Sequence, residues 1–307
     1  MGEVRLASAP CSWGVLSGFG AEDRFPTPES VLDGIVEIGF EGTELGDPGF
    51  MPEAPEAVAA LVKPRGLSMV GALAPMALAD RANHEAGVES ALRIARVLAA
   101  CDGPESWNGG AFIVLADANG KNAMRVENAG RIQPEHGLNE DEWKAFAEGS
   151  NLVAKAVKEE TGLRTAFHHH CAGFIETPDE TERFLEMTDP ELVGLCYDTG
   201  HYAYAGGDAL DGLRRFRERT WHLHFKDCHP SIAEEAREKG WSYFDAVGNG
   251  LFYTLGGGLV DFGAVLDEIR ESGYSGWVVV EDELPPGKAD PFEANQKDRE
   301  FLRELGI

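Results

Sequence analysis

Histidines and carboxylates gather at the ends of short apolar runs in the second half of this chain. One run closes in Phe167-His168-His169-His170 and the next in Cys196-Tyr197-Asp198-Thr199-Gly200-His201. A third contains His222-Leu223-His224-Phe225-Lys226-Asp227, and a fourth ends in Val278-Val279-Val280-Glu281. Imidazoles and carboxylates are good ligands for a divalent cation once deprotonated. A lone histidine or aspartate at a strand end serves more often as a cap or a hydrogen-bond partner. Four successive runs that all finish this way point instead to one shared metal site.

Alternation narrows the choice. Successive side chains of a strand face opposite ways, so His168 and His170 share a face and His169 takes the other. By the same rule His222, His224 and Lys226 share a face. Asp198 and Glu281 follow several apolar residues and fall at strand tips, where a buried carboxylate is costly unless paired or bound to a metal. Lys226 has a second reading, a surface ion pair with Asp227. His84, His136 and His229 lie in loop or helix-start contexts and are expected to be solvated.

Earlier runs add candidates. Trp13, in Cys11-Ser12-Trp13-Gly14, either walls a sugar ring or fills the core. Glu44, in Gly42-Thr43-Glu44-Leu45-Gly46, is placed to hold substrate hydroxyls. Glu176, just before Thr177-Pro178, either reaches back over the site or favours the start of the following helix. The Gly256-Gly257-Gly258 stretch lacks the strand-turn-helix context and the Lys-Ser/Thr of a phosphate loop, and reads as a flexible turn.

These residues need a scaffold that brings four strand ends together. Strand patterns fall at 4–10, 42–45, 68–73, 111–116, 165–170, 192–198, 220–225 and 277–281, separated by helical patterns. Eight strands alternating with helices predict a parallel α/β sheet closed as a (β/α)8 barrel, in which the C-terminal strand ends form the active face. Thr27-Pro28 is a helix start, with Val31, Ile35 and Ile38 at helical spacing and Gly39 at the stop. Asp261 caps a later helix that Gly273 ends. Residues 85–100 and 143–161 read as longer amphipathic helices. Residues 48–55, 103–110 and 226–258 read as loops, the last long enough to belong to an active-site face. No linker divides the chain, so residues 1–307 are expected to form one domain.

Composition excludes other classes. With 43% hydrophobic and 26% charged residues the chain is globular. Its 27 Lys+Arg against 53 Asp+Glu give a net charge of −26, the wrong sign for a surface that binds phosphates of nucleic acid. No apolar run approaches the ~20 residues of a membrane span. The opening residues lack the basic start and apolar stretch of a signal peptide, and five scattered cysteines form no disulfide framework, so a reducing cytoplasm is the expected location.

In this order the motifs resemble the xylose-isomerase-like TIM-barrel superfamily of sugar isomerases, epimerases and type-2 AP endonucleases, and within it the inosose (2-keto-myo-inositol) dehydratases. The resemblance rests on Ala9-Pro10-Cys11-Ser12-Trp13-Gly14, Gly42-Thr43-Glu44-Leu45-Gly46, the triple histidine, Asp198-Thr199-Gly200-His201 and His222 to Asp227. It extends to Val260-Asp261-Phe262 and to Gly273-Tyr274-Ser275-Gly276-Trp277 through Glu281. It implies a single barrel and a divalent metal (Mn, Co, Zn or Mg, with Mn favoured) held by Glu, Asp, His and Glu from strands five to eight. Asp198, His224 and Glu281 match the last three. The fifth-strand position departs, carrying His168 where a Glu is usual, with His170 and Glu176 as contenders. His201 matches a family histidine that contacts substrate or, in the endonucleases, a second metal.

The implied activity is a metal-dependent dehydration of a keto-inositol or a related cyclic ketone through an enolate. His170 or Glu176 would take the proton, and His201 or Lys226 would protonate the departing hydroxyl. A ketose isomerase or epimerase is the alternative on the same metal, and the fifth-strand histidine favours the dehydratase. An endonuclease is opposed by the acidic charge, and a non-catalytic binding barrel by the full set of strand-end groups. The expected partner is a small polyol, with neither nucleic acid nor membrane. Barrels of this type often form homo-oligomers, but the sequence marks no interface.

Overall fold

Eight strands pair in chain order, each parallel to the next: β1 (Val4–Ser8), β2 (Gly42–Glu44), β3 (Ser68–Met76), β4 (Phe112–Asp117), β5 (Arg164–His168), β6 (Val193–Asp198), β7 (Thr220–Phe225) and β8 (Gly276–Val280). The last returns to the first, with Val4 beside Gly276 and Ser8 beside Val280, so the sheet is a closed barrel. The computed structural model describes residues 2–20 and 22–307. The expected strand positions hold, with ends shifted by a few residues.

Two apolar layers account for the alternation along each strand. Leu223, Phe225, Val278 and Val280 belong to the large layer between sheet and helices. Trp277 and Val279 pack with Ala7 and Val70 in one smaller cluster, and Phe112, Val114, Ala166 and Cys196 form another. The intervening positions of β5, β6 and β7 carry His168, Asp198, His222 and His224, which therefore turn toward the barrel axis.

Helix signals in the sequence match the caps observed. Thr27 accepts from the Ser30 amide at the start of the helix Pro28–Ile38, and Gly39, at φ 94°, ends it. Asp261 caps the helix Phe262–Ser272 through the Ala264 amide, and Gly273 closes it at φ 72°. The helices His84–Asp102 and Glu140–Thr161 start slightly earlier than the apolar periodicity indicates, the second at an Asn139–Glu142 capping box.

The expected long loop at 226–258 is corrected. It contains the helices Pro230–Lys239 and Tyr243–Gly248, the first begun by a proline at its first turn and the second by a Ser242–Asp245 capping box. Only 10 and 6 residues long, they carry too few apolar repeats to register as periodicity. His84 is corrected as well: it is buried, with Nε2 against the Leu78 carbonyl. Among the described residues no helix is long and apolar enough to cross a membrane. All five cysteines are free thiols.

Candidate functional site

Barrel closure brings the ends of β5 to β8 onto a common centre. One ligand atom from each of His168, Asp198, His224 and Glu281 lies within 4.8 Å of the others. His168 Nε2 is 3.4 Å from Asp198 Oδ2, and His224 Nδ1 is 3.3 Å from Glu281 Oε2 and 3.9 Å from Asp198 Oδ2. His168 Nε2, Asp198 Oδ2 and His224 Nδ1 are all buried without a hydrogen-bond partner. Buried polar atoms are ordinarily paired, so three orphans aimed at one another fit a cation among them. Two imidazoles and two carboxylates suit a borderline divalent ion. His168, rather than His170 or Glu176, is the fifth-strand residue in this group.

The local field also suits a cation. Burial alone would raise Asp198, but His201, Lys226 and His168 outweigh it and hold its carboxyl well below the usual range. Burial likewise opposes ionisation of Glu281, and His224 and Lys226 hold it far down. Burial would depress His224, yet the Cys196 sulfur and the Glu281 and Glu44 carboxylates keep it well above its ordinary value.

A second group adjoins the first. Glu283 Oε1 lies 3.2 Å from His201 Nε2, 3.8 Å from His170 Nε2 and 3.5 Å from Lys226 Nζ, while its Oε2 accepts from the Tyr243 hydroxyl at 2.6 Å. Glu283 escaped the sequence reading, although it sits two residues after Glu281 and so continues the same alternation. His170 Nδ1 donates to the Cys171 carbonyl, which leaves Nε2 as the lone-pair nitrogen of the neutral ring. Burial pushes its pKa down to about 4, against the pull of Glu283.

A cavity of about 100 Å³ opens above both groups. Its polar wall is His168, His170, His224, Glu44, Asp47, Glu281 and Glu283, and its apolar wall is Ala9, Pro10, Cys11, Leu16 and Leu73. Neither lysine nor arginine is among the described residues that line it. Depressions of about 460 and 610 Å³ lie at the start of β7 and beside Glu182, away from these clusters, whereas one of about 520 Å³ shares Gly46, Asp47 and Leu73 with the cavity and one of about 440 Å³ shares Glu283.

The remaining candidates are sorted by their contacts. Lys226 is buried and reaches Glu281 Oε2 at 3.1 Å, so it is no surface ion pair. Its neighbour Asp227 turns the other way and accepts from the amides of Cys228, Gly256, Gly258 and Val260. The glycine stretch is therefore the seat of a carboxylate, and a Cβ on Gly258 would come within 2.1 Å of Asp227 Oδ1. Lys226 and His201 do not line the cavity and stand behind Glu281, Glu283 and His170.

Two candidates lie outside the centre. Glu176 spends both carboxylate oxygens on the amides of Gly130 (2.7 Å) and Ala172 (2.8 Å), which ties two loops together. Trp13 is corrected to the core: the short turn Pro10–Trp13 carries its ring down against Gly34 and Phe292, and Nε1 donates to Ser8 Oγ at 2.9 Å. His169 points away, as alternation requires, and its Nε2 accepts from the Asp198 amide at 3.1 Å.

This barrel, with its strand-end cluster, belongs to the xylose isomerase-like TIM barrel family, whose model matches residues 32–305. The chain is 31% identical over 304 residues to an inosose dehydratase of Lactiplantibacillus plantarum, covering 98% of this chain and 96% of that protein. It is 29% identical to inosose dehydratase 2 of Bacillus cereus, over 98% of this chain and 97% of that one. Among solved structures it resembles the probable 3-DHS dehydratase AsbF of Bacillus anthracis (TM-score 0.69, 14% identity, 99% of both chains). It also resembles the 3-keto-D-glucoside 4-epimerase YcjR of E. coli (TM-score 0.67, 19% identity, 99% of both chains). At those identities the structural likeness speaks for the fold alone.

Proposed function

We propose that this chain is a metal-dependent hydro-lyase that removes water from a keto-inositol (inosose) or a closely similar cyclic polyol ketone. The observation that carries the reading is the convergence of His168, Asp198, His224 and Glu281 beneath a cavity walled by carboxylates and imidazoles. Full-length similarity to inosose dehydratases supports the substrate. The wall suits a polyol: four carboxylates line it, so hydroxyl groups on the ligand find acceptors there.

His168, Asp198, His224 and Glu281 would hold the divalent metal, Mn2+ being the favoured ion. Bound there, it supplies Lewis-acid stabilisation of the negative charge that develops on the ketone oxygen. His170 is the cavity-facing base: its Nε2 is bare because Nδ1 donates to Cys171, and it takes the proton from the carbon beside the ketone. The C–O bond at the next carbon then breaks, and the hydroxyl leaves as water with the proton that His170 returns. Glu283, held by Tyr243 and Lys226, faces the imidazolium formed between these steps. Asp47, and the Glu44 oxygen not engaged by His222 and His224, also on the wall, accept from substrate hydroxyls.

The test is incubation of the purified protein with 2-keto-myo-inositol and Mn2+, following diketone absorbance. Turnover is expected, and it should vanish on exhaustive chelation and in Asp198→Ala. Turnover that survives both overturns the metal mechanism. Epimerisation of free ketohexoses with inosose untouched would replace this reading by the epimerase one.

A further inference from the structure

Glu44 sits on β2, across the barrel from the strands that carry the cation cluster, and is nearly inaccessible to solvent. Its Oε1 lies 3.0 Å from His222 Nε2 and 3.2 Å from His224 Nε2. A carboxylate oxygen can only accept, so both imidazoles present Nε2–H to it. That assignment has a consequence at the other side of the His224 ring. With Nε2–H committed to Glu44, Nδ1 is the nitrogen that gives up its proton when a metal binds, and Nδ1 is the orphaned atom facing Glu281 and Asp198.

The seat of Glu44 is closely bounded. Gly71, its partner across β3, has no side chain where a Cβ would stand 2.7 Å from Glu44 Oε1 and 3.1 Å from Val114 Cγ2. His222, packed against the Phe112 ring at 5.1 Å, holds the same oxygen from below. The carboxylate is thus fixed by a histidine on one side and by the emptiness of Gly71 on the other, and His224 is oriented by what remains.

We propose that Glu44 is the positioning residue of the cation site, which selects the tautomer and orientation of His224 that direct Nδ1 at the metal. The inference rests on the reading of His168, Asp198, His224 and Glu281 as ligands. It explains why a carboxylate and a second histidine, neither among those four, are built into the barrel interior beside them. It also gives Gly71 a role that no contact to a ligand would reveal, because an added methyl would displace the oxygen that orients His224.

The test is Mn2+ affinity, read as free Mn2+ by electron paramagnetic resonance, in the wild type, Glu44→Ala, Glu44→Gln and Gly71→Ala. Circular dichroism confirms that each is folded. Loss of 10- to 100-fold in affinity is expected for Glu44→Ala and Gly71→Ala, the range typical of groups that orient metal ligands. Glu44→Gln, which keeps an acceptor oxygen, should lose less than either. Wild-type affinity in folded Gly71→Ala and Glu44→Gln together with undiminished affinity in Glu44→Ala overturns the inference. If Glu44→Ala does not fold, an unchanged Gly71→Ala overturns it alone. A wild type that binds none of Mn2+, Co2+, Zn2+ or Mg2+ instead removes the metal reading and this inference with it.

Discussion

Asp198 divides its carboxylate between two duties: Oδ1 accepts from the His201 amide at 2.8 Å, and Oδ2 faces His168 Nε2 at 3.4 Å with no hydrogen-bond donor of its own. The first holds the start of the helix Thr199–Tyr204, and the second is available to a cation.

The two duties separate by mutation. Asp198→Asn keeps an oxygen for the cap but loses the buried anion that His201, Lys226 and His168 stabilise, so its metal-free form should be less stable than wild type and its Mn2+ affinity should fall sharply. Asp198→Ala should lose affinity equally and also about 1 kcal/mol of cap stability. Calorimetry of both metal-free variants, with metal titration, checks this. Equal thermal stability of the two would contradict the capping role.

His169 makes the fold acid-sensitive above the usual carboxylate range. Burial pushes its pKa from 6.5 down to about 3, so the folded chain keeps it neutral while the unfolded chain protonates it. Its contribution is complete above pH 6.5 and is lost as pH falls from there toward 3. Between pH 7.5 and 5.5 this one residue should remove about 1.4 kcal/mol of unfolding free energy. His169→Gln, which still offers an acceptor to the Asp198 amide, should show a pH loss smaller by that amount in urea titrations. An unchanged difference would assign the sensitivity to other buried histidines.

Gly258→Ala tests the Asp227 loop. The added Cβ would press on Asp227 Oδ1 at 2.1 Å, and overpacking of this kind costs about 1–3 kcal/mol. Limited proteolysis should cut more readily within residues 250–260. The same digestion rate as wild type would mean that the loop does not depend on Asp227.

Trp13 separates stability from binding. Trp13→Ala should cost about 3–5 kcal/mol, as large core truncations do. Trp13→Phe, a milder change that loses the bond to Ser8, should leave KM for inosose within twofold because the ring does not line the cavity. A tenfold rise in KM would return Trp13 to the substrate wall.

Local order in the chain determined much of this molecule. Apolar runs separated by helical periodicity set eight strands, and the two-residue repeat decided that His168, His222 and His224 turn inward while His169 turns out. Caps such as Thr27 and Asp261 act within one turn and were equally readable. Contacts distant in sequence were decided only by closure of the barrel. Nothing local distinguishes His168 from His170 or Glu176 as the residue that joins Asp198, His224 and Glu281, because the choice depends on how far β5 runs before it bends. Sequence alone leaves Trp13 open between wall and core, since the four-residue turn Pro10–Trp13 can aim an indole either way. Glu44 lies 178 residues from His222, and Glu283 meets His201 from another strand end. Their partners are set by barrel register, a property of the whole sheet, and no window of sequence contains it.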